Sequence, residues 1–204
     1  MQGHPSEDEG RRPTEQEATG PPRADSPLDR AVRELERHVA RGGWDGPLRV
    51  FALIRTARAM AQDPSLREQL PPDLVASADA DPEHITSVEQ EDLPAGDGVE
   101  DVLARISWPA AVDGAAVVVE RFVVPPEAER DLPDDGAAAL EVLLAHPDRQ
   151  DVRLAVGVLR EGTSSCALRT RSNDHDFAVG TGPDLAPGLV HALNETLLHA
   201  PGPD

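Results

Sequence analysis

The chain has 204 residues, 19 basic against 38 acidic side chains, and a formal charge of −19. That length suits one core with a tail, and a charge of this sign repels phosphate backbones, which excludes sequence-independent nucleic-acid binding. Every basic residue is Arg, so lysine Schiff bases, pyridoxal-phosphate anchors and P-loop lysines are excluded by residue type, and the lone Cys166 excludes an intrachain disulfide or a multi-Cys zinc site.

Residues 1–26 are rich in Glu, Pro, Gly and Thr and lack large apolar groups, which predicts a disordered tail. The N-terminus has neither the basic start nor the apolar stretch of a secretory signal, and no apolar run reaches the roughly 20 residues needed to span a bilayer. A cytoplasmic location with no membrane contact is expected.

Ser26-Pro27 opens a first helix, with Ser26 as N-cap, Asp29 in the first turn and Leu28, Val32, Leu35 and Val39 on one stripe. Gly42-Gly43 stops it. The spacing of Val50, Leu53, Ile54, Ala57 and Ala61 predicts a second helix from about Pro47, with Phe51 well off its buried face. A strand is predicted over His84–Gln90. Asp97 and Glu100 have capping-box spacing before a short helix through Val102 and Leu103. Ala115–Val124, β-branched and bounded by Gly114 and Pro125, is the most strand-like segment. A helix follows from about Gly136 to His146.

Val152, Leu154, Val156 and Val158 then alternate with Arg153, Ala155, Gly157 and Leu159. After a turn at Glu161-Gly162, Cys166, Leu168 and Thr170 alternate with Ala167, Arg169 and Arg171. This is a β-hairpin with one apolar face and one guanidinium-bearing face. Asp176–Val179 suggests a short strand, and a last helix from about Leu185 buries Leu189, Leu193 and Leu197. The order predicts one α+β domain over residues 27–199, a mostly antiparallel sheet of about 4–5 strands, helices on one face, and a frayed end over 200–204.

No catalytic or cofactor-binding set emerges, which points away from an enzyme. Gly180-Thr181-Gly182 lacks the third glycine of a dinucleotide loop, and Asp184 would compete with a bound phosphate. Asp174, His175 and Asp176 are candidate metal ligands in a polar turn, and His191, Glu195 and His199 form a helical ladder. Ser164, Ser165, His175 and Asp176 have the residue types of a hydrolytic triad without a nucleophile elbow. Arg153, Arg169 and Arg171, joined by Arg121 from the neighbouring strand, form a candidate partner-binding face. Cross-strand pairing with Glu120 and Glu89 competes with that reading.

Several short strings carry a family resemblance. They are Ser87–Pro94, Ile106–Pro109 with Val112–Gly114, Glu120-Arg121, Asp151–Leu154, Gly157–Arg160 and Asp184–Pro187. Across roughly residues 27–199 the chain resembles an uncharacterised family of small acidic proteins from high-GC Gram-positive bacteria. The resemblance implies a cytoplasmic single domain and supplies no activity, ligand or site residue. The expected function is a non-enzymatic adaptor or regulatory module whose partner is another protein. Alternatives are a small acidic chaperone or secretion-type homodimer, and a metal-assisted enzyme using Asp and His.

Overall fold

A computed structural model describes residues 25–130 and 132–198 of the chain. The expectations for residues 1–24 and 199–204 lie outside the described residues. Asp25 and Ser26, assigned to the tail from sequence, are held against the first helix: Arg30 donates to the Asp25 carbonyl at 2.9 Å. Helix α1 (Pro27–Ala40) starts as its sequence predicts. The Ser26 hydroxyl accepts from the Asp29 amide at 3.1 Å, and the Asp29 carboxylate accepts from the Ser26 amide at 2.9 Å, closing a capping box.

Six strands form one sheet: β1 (Arg49–Arg55), β2 (Ile85–Glu89), β3 (Gly114–Val123), β4 (Gln150–Leu159), β5 (Ser164–Thr170) and β6 (Gly180–Gly182). Their order is β2-β1-β3-β4-β5-β6, and every neighbouring pair is antiparallel. Helices α2 (Thr56–Gln62), α3 (Leu66–Gln69) and α4 (Pro72–Ala80) lie between β1 and β2. Helix α5 (Val99–Leu103) precedes β3, α6 (Gly136–Leu144) joins β3 to β4, and α7 (Pro187–Leu198) ends the fold. The class is α+β as expected, with slightly more strands.

The main correction concerns layers. Helices cover both faces of the sheet, not one. Helix α1 packs Leu28, Val32 and Leu35 with Phe51, Leu53, Ala155 and Ala167 on one side. On the other, α5 and α7 bury Leu103, Leu189 and Leu193 against Val117, Val152, Val156 and Cys166. Burying a Val, Leu or Phe side chain stabilises by about 1.5–3 kcal/mol, so each half-core contributes substantially. At Gly157 a Cβ would fall 2.6 Å from Val32 Cγ2, so the missing side chain lets α1 settle onto β4.

Double burial also explains why the predicted second helix is helical only in its last part, α2, which carries Ala57 and Ala61. Residues 49–55 are strand β1, with Val50 and Ala52 in one half-core and Phe51 and Leu53 in the other. A strand buried on both faces is a continuous apolar run, and periodicity cannot separate it from a buried helix. Phe51 is thus core. Two smaller expectations also change. Helix α5 has Gly98 as its N-cap, with no side-chain cap, and the Asp97 amide donates to Asp101 instead. Asp176–Ala178 is a 3₁₀ turn, and the short strand follows it as β6. Among the described residues, no helix is long and apolar enough to cross a membrane.

Candidate functional site

The hairpin register places Arg153 opposite Arg169, with Glu120 opposite Arg153 on β3. Like charges directly across a ladder repel, so the pair needs a counter-charge from above. Helix α1 supplies it. Glu36, 1% exposed, accepts from Arg169 Nε at 2.6 Å and from Nη2 at 2.7 Å, and its Oε1 lies 3.7 Å from Arg153 Nη1. Arg153 donates through Nε at 3.1 Å and Nη2 at 2.7 Å to Glu120, and also to the Gly43 carbonyl.

The loop after α1 closes over this cluster. The Trp44 ring lies 4.5 Å from the Arg153 guanidinium carbon, and its indole N–H donates to Asp174 at 3.0 Å. The Asp45 amide donates to Glu120 at 2.6 Å, while the Asp45 carboxylate takes Arg171 in a bidentate pair at 2.9 and 2.7 Å. The face expected to be outward is therefore interior: Arg153 is 0% and Arg169 2% exposed. Arg121 does not join them, because it aligns with Val152 on the opposite face and pairs with Glu100 at 2.6 Å. Arg121 and Arg171 are the two of the four that reach solvent. Glu36 was not singled out in the sequence. Its signal is its position four residues after Val32, on the edge of the buried stripe.

The two candidate metal-binding carboxylates, both exposed, pair with the same arginine. Asp174 and Asp176 accept from Arg169 at 3.0 and 2.7 Å, and the His175 ring stacks on Phe177 with centroids 5.2 Å apart. Glu36 above all, with Asp176 and Asp174, holds the Arg169 guanidinium charged against the opposing effect of burial. The hydrogen bond from Trp44 and the Arg169 charge keep the Asp174 carboxyl below its usual range. Among the described residues, no group of three or more His, Cys, Asp or Glu could hold a metal ion. The His191–Glu195–His199 ladder ends outside the described residues.

Nor do the triad residue types converge. Ser165 is buried and donates to Asp29 at 2.6 Å, while Ser164 donates to the Pro183 carbonyl at 3.3 Å. Burial pushes the Cys166 thiol up, away from the reactive thiolate. Gly180–Gly182 pairs with β5 as an edge strand and forms no phosphate loop.

A family model described as PPA1309-like protein matches residues 28–198. The chain belongs to the PPA1309-like family. No curated protein and no solved structure gives a match. The match runs from Leu28 in α1 to the last residue of α7, so the arginine cluster of this PPA1309-like chain lies wholly within it.

A second buried carboxylate anchors the opposite end of β3. Asp113, 2% exposed, accepts from the Arg55 amide at 2.8 Å and from the Arg58 guanidinium. Arg160 caps carbonyls instead, donating to Val112 at 2.8 Å, to Trp108 at 3.0 Å and to Leu197 at the end of α7. These contacts hold the fold together and present no reacting group to solvent.

The Asp29–Ser165 bond sets a pH dependence. Burial raises the Asp29 carboxyl, but bonds from Ser165 and Ser26 outweigh it and hold the group below its ordinary 3.8. A depressed folded value contributes stability that is present above the unfolded pKa and lost as pH falls through the folded one. Ser165→Ala is expected to cost about 1.5–3 kcal/mol at neutral pH, the worth of a hydrogen bond to a charged acceptor. That deficit should shrink progressively as pH falls below the unfolded carboxylate value of about 4, and vanish only below the lower folded value. Urea unfolding at pH 7 and pH 3 checks it; an equal deficit at both would remove the charge from the explanation.

The surface of the PPA1309-like chain has one helix unlike the rest. Helix α6 reads Gly-Ala-Ala-Ala-Leu-Glu-Val-Leu-Leu, with Glu141 its sole charge, and none of its residues is buried. Leu140, Val142 and Leu144 are 47%, 47% and 42% exposed. A hollow of about 350 Å³ between α1, α4 and β2 is lined by His38, His84, Glu34, Asp73, Glu89 and Phe51.

Proposed function

We propose that this PPA1309-like protein is a non-enzymatic protein-interaction module of the cytoplasm, and that α6 is its contact surface. The observation that carries this reading is a helix apolar on all sides with no buried residue. A helix apolar all round is one that is covered all round, and among the described residues nothing buries this one beyond half-covering Ala138, Ala139 and Leu143. The internal use of the buried charges supports the same reading. Glu36, Asp113, Arg153 and Arg169 are held in ion pairs within the fold, which leaves them unsuited to acid–base work on a substrate.

The guanidinium face is replaced as the docking surface because Arg153 and Arg169 support the core. The test is capture from native cell extract with the tagged protein and with Leu140→Glu/Leu144→Glu. Proteins retained by the parent and lost by the variant, at unchanged melting temperature, support the reading. Identical retention by both would remove α6 as the contact surface.

A further inference from the structure

Apart from α6, we infer a second docking surface: the free edge of β2, which takes an extended, arginine- or lysine-bearing segment of another protein as one more strand. The ladder shows which backbone groups are free. The Thr56 amide donates to the His84 carbonyl at 3.2 Å, and the Gln90 amide to the Val50 carbonyl at 2.9 Å. With Thr86 opposite Ile54 and Val88 opposite Ala52, the backbone groups of these alternate residues face β1. Those of Ile85, Ser87 and Glu89 therefore point away from it. Strand β2 ends the sheet, and among the described residues nothing pairs with these groups. Such a row is a template for an added strand.

Charge names the occupant. Ser87 and Glu89 pair with Leu53 and Phe51, so their side chains share the α1 face of the sheet. Residues set opposite them on an added strand carry their side chains on that same face. There it opens into the hollow of about 350 Å³ between α1 and α4. Glu34 stands on the α1 wall and Asp73 on the α4 wall, and neither has an ion-pair partner among the described residues. Glu89 lies at the strand end, 3.6 Å from Arg49. His38 and His84 are the other titratable groups of the lining, which holds no arginine. A guanidinium or ammonium entering the hollow meets two unpaired carboxylates, with Leu35 and Leu74 against its methylene stem.

Other occupants match only part of this surface. A second copy paired edge to edge would bring another Glu89-Gln90-Glu91-Asp92 run to an acidic rim, on a chain of −19 that repels its own kind. An acidic segment meets the same repulsion. A small cation would use the hollow and leave the row of amides and carbonyls unpaired. An extended basic segment uses both: its backbone pairs with Ile85, Ser87 and Glu89, and every second side chain enters the hollow. The five residues of β2 limit the contact to a short stretch of that partner.

Fluorescence anisotropy tests this with a labelled peptide of alternating Arg and Val, slightly longer than β2. At low salt the full chain should bind it at about 10–100 µM, since one short strand buries less than a standard interface, and binding should weaken as salt is added. Two control peptides should bind at least about tenfold more weakly: the N-methylated form, which keeps the charge and loses the backbone donors, and a Glu–Val peptide of the same pattern. Ser87→Pro removes one outward donor where an edge strand tolerates proline, and should lose the binding. Glu34→Gln/Asp73→Asn should weaken it by about tenfold at an unchanged melting temperature. Failure of the parent to bind overturns the inference. Equal binding of the N-methylated peptide, or by Ser87→Pro, overturns the strand pairing, and should Ser87→Pro fail to fold, the N-methylated peptide decides alone. Equal binding of the Glu–Val peptide, or full affinity in Glu34→Gln/Asp73→Asn, overturns the charge selection. Leu140→Glu/Leu144→Glu should bind the peptide like the parent; a loss there would place the peptide on α6 and overturn the β2 site.

Discussion

Arg169→Ala is expected to destabilise the protein by about 3–5 kcal/mol, because it leaves Glu36 buried beside a single poorly placed cation. In the native cluster Glu36 takes two bonds from Arg169, at 2.6 and 2.7 Å, whereas Arg153 Nη1 lies 3.7 Å away and makes no hydrogen bond. Asp174 and Asp176 would lose their partner as well, freeing the turn that holds Trp44. For a domain of this size the loss corresponds to a fall in melting temperature of roughly 6–20 °C. Arg171→Ala, removing a surface pair with Asp45, should cost under about 1 kcal/mol by the same urea titration. Combining Glu36→Leu with Arg169→Met should cost less than the sum of the single changes, since neither member of the pair is then left buried without the other and Arg153 keeps Glu120. Equal costs for Arg169→Ala and Arg171→Ala would show that the cluster is not the interior network described.

Gly114→Ala is expected to cost upwards of about 3 kcal/mol, through backbone displacement and not lost contacts. A Cβ there would stand 2.2 Å from the Val158 carbonyl oxygen and 2.7 Å from Leu159 Cδ2. Neither neighbour can move freely. Val158 belongs to the β3–β4 ladder, and Gly114 itself pairs with Leu159 on one side and Leu53 on the other. Asp113, one residue earlier, is fixed by its amide bond to the Leu53 carbonyl at 2.9 Å and by Arg55 and Arg58. The clash falls where β1, β3 and β4 are locked together. Gly136→Ala, in open space at the start of α6, serves as control and should be neutral or slightly stabilising. A Gly114→Ala protein as stable as the parent would mean that the strands separate there at little cost.

How far the sequence carried the fold can be followed along the hairpin. The alternation of Val152, Leu154, Val156 and Val158 with Arg153, Ala155 and Gly157 assigned each side chain to the correct face, because a strand repeats every two residues whatever lies above it. It did not say that both faces would be covered. Arginine on a strand reads as solvent-facing, and only a carboxylate arriving from α1 reverses that reading. Strand β1 failed for the related reason that double burial erases the polar half of the pattern. The candidate metal ligands and the arginine face, read as two separate sites, are parts of one network centred on Arg169.

By itself the sequence determined what local chemistry decides. The Ser26 cap, the β4–β5 turn, the strand over Ala115–Val123 and the α+β class all follow from interactions among near neighbours. Only the tertiary structure decided which groups meet across distance. Glu36 reaches Arg169 over 133 residues, Trp44 reaches Asp174 over 130, and α6, as apolar as a core helix, has no fully buried residue. A charge or an apolar side chain in sequence has a type and a spacing. Whether it faces water, a counter-ion or a second chain depends on the layer packed over it, and layers are set by the whole fold.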